Sequence, residues 1–120
     1  MRTTLNIMAL LLCILLTSCV QKTYKRTVVY TLDVSKIKNI KKVGIRGNDK
    51  PLSWDNDTEM KAIKKDSLYQ TTITTYTGYK FTEVKFVVNE QFELENKENR
   101  RVIFDAKKDT TNVFFTFDKK

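Results

Sequence analysis

From Thr27 onward the chain alternates between apolar and polar positions. Val28, Tyr30, Leu32 and Val34 fall on one face of an extended segment, Val43 and Ile45 on one face of a second, and Tyr69, Thr71 and Ile73 on one face of a third. Thr82, Val84, Phe86 and Val88 form the next inward set, with Phe81, Lys85 and Val87 turned the other way. Asn89-Glu90 predicts a hairpin turn leading to Phe92 and Leu94. Val102, Ile103 and Phe104 predict a short strand, and Val113, Phe115 and Phe117 close the chain. The residues are mainly Val, Ile, Thr, Tyr and Phe, which suit a pleated, half-buried surface. Short strands at this spacing predict an all-β fold, an antiparallel two-sheet β-sandwich of immunoglobulin-like type in which each sheet buries one face. Little helix is expected. The stretch Gly47 to Glu59 holds the sole Pro and the sole Trp and reads as a long loop, the kind of segment in which binding residues collect.

The N-terminus has a different pattern. Arg2 is followed by an apolar run from Leu5 to Leu16, interrupted only by Asn6, and then by Thr17 and Ser18 before Cys19. This is the order of a secretory signal, and its apolar run of ~12 residues falls short of the ~20 that span a bilayer as a helix. Leu16-Thr17-Ser18-Cys19 resembles the bacterial lipoprotein box, which implies cleavage before Cys19 and acylation of its sulfur. The expected organisation is a signal peptide at 1–18, a polar tether at 19–26 and one β-sandwich domain at 27–120. Two or more acyl chains would give stable anchoring, so a bacterial cell-envelope protein held to a membrane is expected. No acidic residue follows the cysteine closely, which points to the periplasmic face. Cys13 leaves with the signal, so stability is expected from packing rather than a disulfide.

Composition narrows the chemistry. The net charge of +8 comes from lysines and arginines scattered along the chain, a balance that suits a solvated surface near anionic lipid headgroups. A nucleic-acid role would need a basic face with stacking aromatics in a compartment holding nucleic acid, so none is expected. There is no His, hence no usual general base or imidazole ligand, and the three glycines form no phosphate loop. No catalytic residue, metal or cofactor is assigned. Asp55, Asp57 and Glu59 lack the glycine and ligand order of a calcium loop and read as a solvated acidic loop.

Val43-Gly44-Ile45-Arg46-Gly47, Leu52-Ser53-Trp54-Asp55, Ser67-Leu68-Tyr69, Glu83-Val84-Lys85-Phe86-Val87-Val88, Phe92-Glu93-Leu94-Glu95 and Asn99-Arg100 follow one another in an order that resembles the starch-binding and glycogen-binding carbohydrate modules. The resemblance runs from about Thr27 to Phe104. It implies a non-catalytic domain that binds an α-glucan or related oligosaccharide, with Trp54 and Phe92 as stacking platforms and Lys85, Glu95 and Asn99 bonding sugar hydroxyls. Phe92 stands where the family usually has tryptophan, and Lys97-Glu98 replace the proline that often precedes Asn-Arg. No tyrosine occurs at Lys36–Lys41 or Ile63–Asp66, the stretches matching the family's second site, so one site is expected. Two readings stay open for single residues. Trp54 is either a platform or a plug at one end of the sandwich, and Lys85 is either a ligand or a solvated side chain. The alternative for the whole chain is a protein–protein interaction module that binds another envelope protein, such as a separate hydrolase, and no sugar.

Overall fold

The alternating segments pair as strands because each has a row of apolar side chains to bury and a backbone that must find hydrogen-bond partners as it does so. A computed structural model describes residues 21–120. The expected signal peptide at 1–18 and Cys19 lie outside the described residues. Among the described residues there are nine strands: β1 (Tyr24–Asp33), β2 (Val43–Gly47), β3 (Thr58–Glu59), β4 (Lys61–Lys64), β5 (Leu68–Thr77), β6 (Phe81–Val88), β7 (Gln91–Phe92), β8 (Arg100–Ile103) and β9 (Thr110–Thr116). No described residue is helical. One sheet has the order β4-β5-β1-β9 and the other β3-β2-β6, with β7 and β8 following one another along the far edge of β6.

The expected two-sheet all-β sandwich is the fold that forms, with one pairing that differs. β9 lies parallel to β1, whereas every other pair is antiparallel. The loop from β8 to β9 delivers the chain at the end of the sandwich where β1 begins, with the Phe104 amide donating to the Lys80 carbonyl and the Thr27 amide to that of Asp109. A last strand starting there on the free edge of β1 has to run in the same direction as β1. β1 itself starts at Tyr24, within the 19–26 stretch expected as tether. Lys25 and Arg26 are already paired with Tyr76 and Thr75, and the Arg26 guanidinium lies 5.5 and 5.6 Å from the centres of the Tyr24 and Phe104 rings.

The core is the inward set of both sheets: Val28, Tyr30, Leu32 and Val34 face Val43, Ile45, Val84, Phe86, Val88 and Val102, with Leu52, Met60 and Phe104 closing the ends. Tyr30 and Phe86 meet edge to face with centroids 6.2 Å apart, a favourable aromatic geometry. Val87 points away from the core but is buried too, because its cross-strand neighbours are Gly44 and Phe92. β3 and β4 have no signal in the alternation. β4 is an exposed edge carrying Lys61 and Lys64, residues that discourage further pairing.

Burial pushes the Tyr30 phenol well above its ordinary range, and the Asp49 carboxylate adds to the rise. The sign follows from which state holds the proton. The folded chain keeps it at pH values where the unfolded chain, ionising near ~10, has released it. This contribution is therefore complete below about pH 10 and is lost as pH rises beyond that value. Urea midpoints measured across the alkaline range should fall for the wild type and fall less steeply for Tyr30→Phe; parallel curves would contradict the assignment.

Candidate functional site

The outward positions of β2 and β6 set the centre of the site. Ile45 and Phe86 point into the core, so Arg46 and its cross-strand partner Lys85 must point out. Asn89 and Glu90 both have positive φ, 50° and 69°, as the mirror-image two-residue turn of a tight hairpin requires. The turn places Phe92 on the same outer face, 43% exposed, opposite Val87. Asn89 is also a tie. Its side-chain oxygen accepts from the Lys41 and Lys42 amides at 2.7 and 3.2 Å, and its amide donates to the Asn39 carbonyl.

Arg46 organises what surrounds it. Its Nε donates to Asp57 at 2.6 Å, its guanidinium donates to the Trp54 carbonyl at 2.6 Å, and the same group lies 5.0 Å from the centre of the Phe92 ring. One cation thus joins the Trp54 loop, the β3 approach and the β7 hairpin. The motifs in the sequence give Arg46 no role, although its outward place opposite Lys85 is a usable signal. Asp57 is committed to Arg46 and to Lys42 at 3.9 Å, an ion-paired role rather than the solvated one expected of the acidic loop.

Trp54 is half-buried and lies outside the core cluster, so it does not plug the sandwich. Its indole N–H donates to Asn48 Oδ1 at 2.6 Å, which fixes the ring's orientation. It lines a shallow concavity of about 760 Å³ with Asn48, Pro51 and Ser53. Gly47 lets the loop close: a Cβ there would come within 2.9 Å of both the Glu83 carbonyl and Leu52 Cδ1.

The Lys85 ammonium is neither free nor merely solvated. It donates to the Leu94 and Lys97 carbonyls at 3.2 and 3.0 Å and clamps the loop that follows β7. Glu95 and Asn99 sit exposed on that loop. The fold therefore gathers Phe92, Lys85, Glu95 and Asn99 around one hairpin, with Trp54 connected to it through Arg46.

The hairpin departs from simple alternation after Phe92. β7 ends there, and Leu94, with φ 48°, turns back to be buried at 2% exposure, so Phe92 and Leu94 do not share a face. Between them Glu93 points inward and is fully buried. Arg100 meets it with two bonds of 2.7 Å, and the carboxylate also accepts from the Phe86 and Asp118 amides. The guanidinium donates onward to the Thr116 and Lys119 carbonyls and lies 4.6 Å from the centre of the Phe115 ring. This buried pair locks the hairpin to the C-terminal strand and is the support on which Phe92 rests.

No family profile matches the chain, and no curated protein matches its sequence. Among solved structures it is similar to a glycoside hydrolase family 15 glucoamylase from Hypocrea jecorina, with a TM-score of 0.59 and 16% identity. The match covers 79% of this chain and 17% of that one, so the chain spans less than a fifth of the enzyme's length. At that identity the likeness is one of fold.

Proposed function

We propose that this protein is a non-catalytic carbohydrate-binding module of the bacterial envelope, lipid-anchored through Cys19, that holds an α-glucan or related oligosaccharide. The observation that carries the reading is the half-exposed Trp54 ring, oriented by Asn48 and joined through Arg46 to the exposed Phe92. Sugar rings present C–H faces that pack on flat aromatic surfaces, while their hydroxyl rims need donors and acceptors. Glu95, Asn99 and the remaining donor of Lys85 stand on the same hairpin to supply them. The shared fold with part of a protein named glucoamylase supports the same direction, as do the ordered motifs from Val43 to Arg100.

The test uses the single tryptophan. Titrating the purified full-length protein with maltoheptaose should shift or quench Trp54 emission, and Trp54→Ala should abolish binding measured by calorimetry. An emission indifferent to sugar and an absence of heat on titration would end the proposal. The anchoring part stands or falls separately. Cys19→Ser should leave the membrane fraction and lose labelling by an alkyne fatty acid, and a variant still labelled and retained would overturn it.

A second reading, an envelope interaction module without sugar binding, is favoured by the outer face of the β4-β5-β1-β9 sheet. Tyr76 and Phe114 are 68% and 60% exposed there. Under that reading maltoheptaose leaves Trp54 emission unchanged and Trp54→Ala does not affect partner capture.

A further inference from the structure

We infer that Tyr79, Phe81, Glu83 and Arg101 form a second sugar subsite, joined to the Trp54 platform through Asn48, so that the protein takes an internal stretch of a neutral glycan chain. The inference rests on the carbohydrate reading above and extends it to a part of the surface that reading does not use. On the outer face of β6 and β8, Glu83 pairs across the strands with Arg101 and Phe81 with Ile103. The Arg101 guanidinium covers the Phe81 ring at 4.2 Å and lies 3.5 Å from the Glu83 carboxylate. The stacked ring and the ion pair together hold a planar group flat against the sheet. Tyr79, on the turn before β6, is 68% exposed with its ring centre 6.1 Å from that of Phe81.

Between these side chains is a concavity of about 370 Å³ whose remaining lining is Asn48, Asp49 and Thr82. Asp49 is fixed there by the Thr82 hydroxyl at 2.6 Å. The chemistry on offer is one exposed aromatic face, a planar guanidinium, two carboxylates and a carboxamide. Arg101 is the single cation in the lining against Asp49 and Glu83, so the lining has no surplus positive charge to attract a phosphate or a lipid headgroup. A flat apolar surface ringed by both donors and acceptors fits an uncharged polyhydroxyl ring.

Asn48 is common to the two concavities. It lines both of them; its backbone N–H donates to the Glu83 carbonyl at 3.1 Å, and its side-chain oxygen accepts the Trp54 indole N–H. A chain laid on Trp54 can extend across Asn48 onto this surface, while Arg46 connects the platform to the hairpin.

The experiment compares chain lengths. Maltotriose and maltoheptaose are titrated into the full-length wild type, Tyr79→Ala, Arg101→Ala and Trp54→Ala, with urea midpoints confirming that the variants remain folded. Tyr79→Ala and Arg101→Ala should each weaken maltoheptaose roughly three- to tenfold while changing maltotriose less than about twofold. An unchanged maltoheptaose affinity in both variants, with binding still lost in Trp54→Ala, overturns the subsite and leaves the Trp54 reading in place. An equal loss for both sugars also overturns it, since the contact then does not depend on chain length. A wild type that binds neither sugar removes the subsite together with the reading on which it rests.

Discussion

Arg100→Ala is expected to lower the unfolding free energy by about 3–5 kcal/mol, because it strands the Glu93 carboxylate in a site with no access to water. Glu93 is fully buried and Arg100 is 8% exposed, so solvent does little to screen the loss. The alanine variant also frees the Thr116 and Lys119 carbonyls and removes the cation from beside the Phe86 and Phe115 rings. For a domain with a typical stability of about 5–15 kcal/mol, this is a large share of the total. Glu93→Ala should cost a similar amount, since it leaves the guanidinium unpaired. Replacing both residues with apolar ones, Glu93→Leu with Arg100→Met, should cost clearly less than the sum of the two single changes, because neither charge is then left alone. Some loss should persist in the double variant, as the Phe86 and Asp118 amides lose their acceptor. Urea unfolding of the four proteins measures all of this. A single variant within about 1 kcal/mol of wild type would show that the pair is not buried as described.

The second large effect is on binding. Trp54→Ala should weaken maltoheptaose by at least about 30-fold, as truncation of a central aromatic anchor does. Its cost to stability should be only about 1 kcal/mol, because Trp54 lies outside the core and its main bond is the one its indole donates to Asn48. A core tryptophan would cost about 3–5 kcal/mol on the same change. Paired calorimetry and urea unfolding separate the cases, and loss of binding accompanied by a stability loss in that upper range would mean the ring is structural. Phe92→Trp offers the converse test. Phe92 is exposed and lies beside Arg46, so a larger ring has room to grow outward and should tighten maltoheptaose without loss of stability.

Much of this architecture is legible in the chain itself. Val28, Tyr30, Leu32, Val34, Thr82, Val84, Phe86 and Val88 alternate because a sheet buries one face, and all eight are buried where the alternation puts them. Such a pattern is local: each side chain's direction follows from its neighbour's, whatever the rest of the molecule does. The place of Arg46 and Lys85 on the outer face follows from the same rule. What the side chains do there does not, because it depends on how the loops fold back, which alternation does not encode. The Lys85 ammonium is held by carbonyls at 94 and 97, and Trp54 is oriented by Asn48 while its carbonyl is bound by Arg46. Alternation predicts Phe92 and Leu94 on one face, but the chain bends between them so that Glu93 can accept from Arg100, whose guanidinium also donates to the C-terminal carbonyls. The short strands β3 and β4 leave no periodic trace, because two or four residues at an edge bury too little to demand one. The parallel course of β9 is likewise invisible in its own residues, since strand direction is set by which end of the sandwich the preceding loop reaches. Periodicity determined which residues face inward. The closure of loops and the burial of one ion pair, which bring positions 46, 54, 85, 92 and 100 into a single arrangement, were decided only when the two sheets packed together.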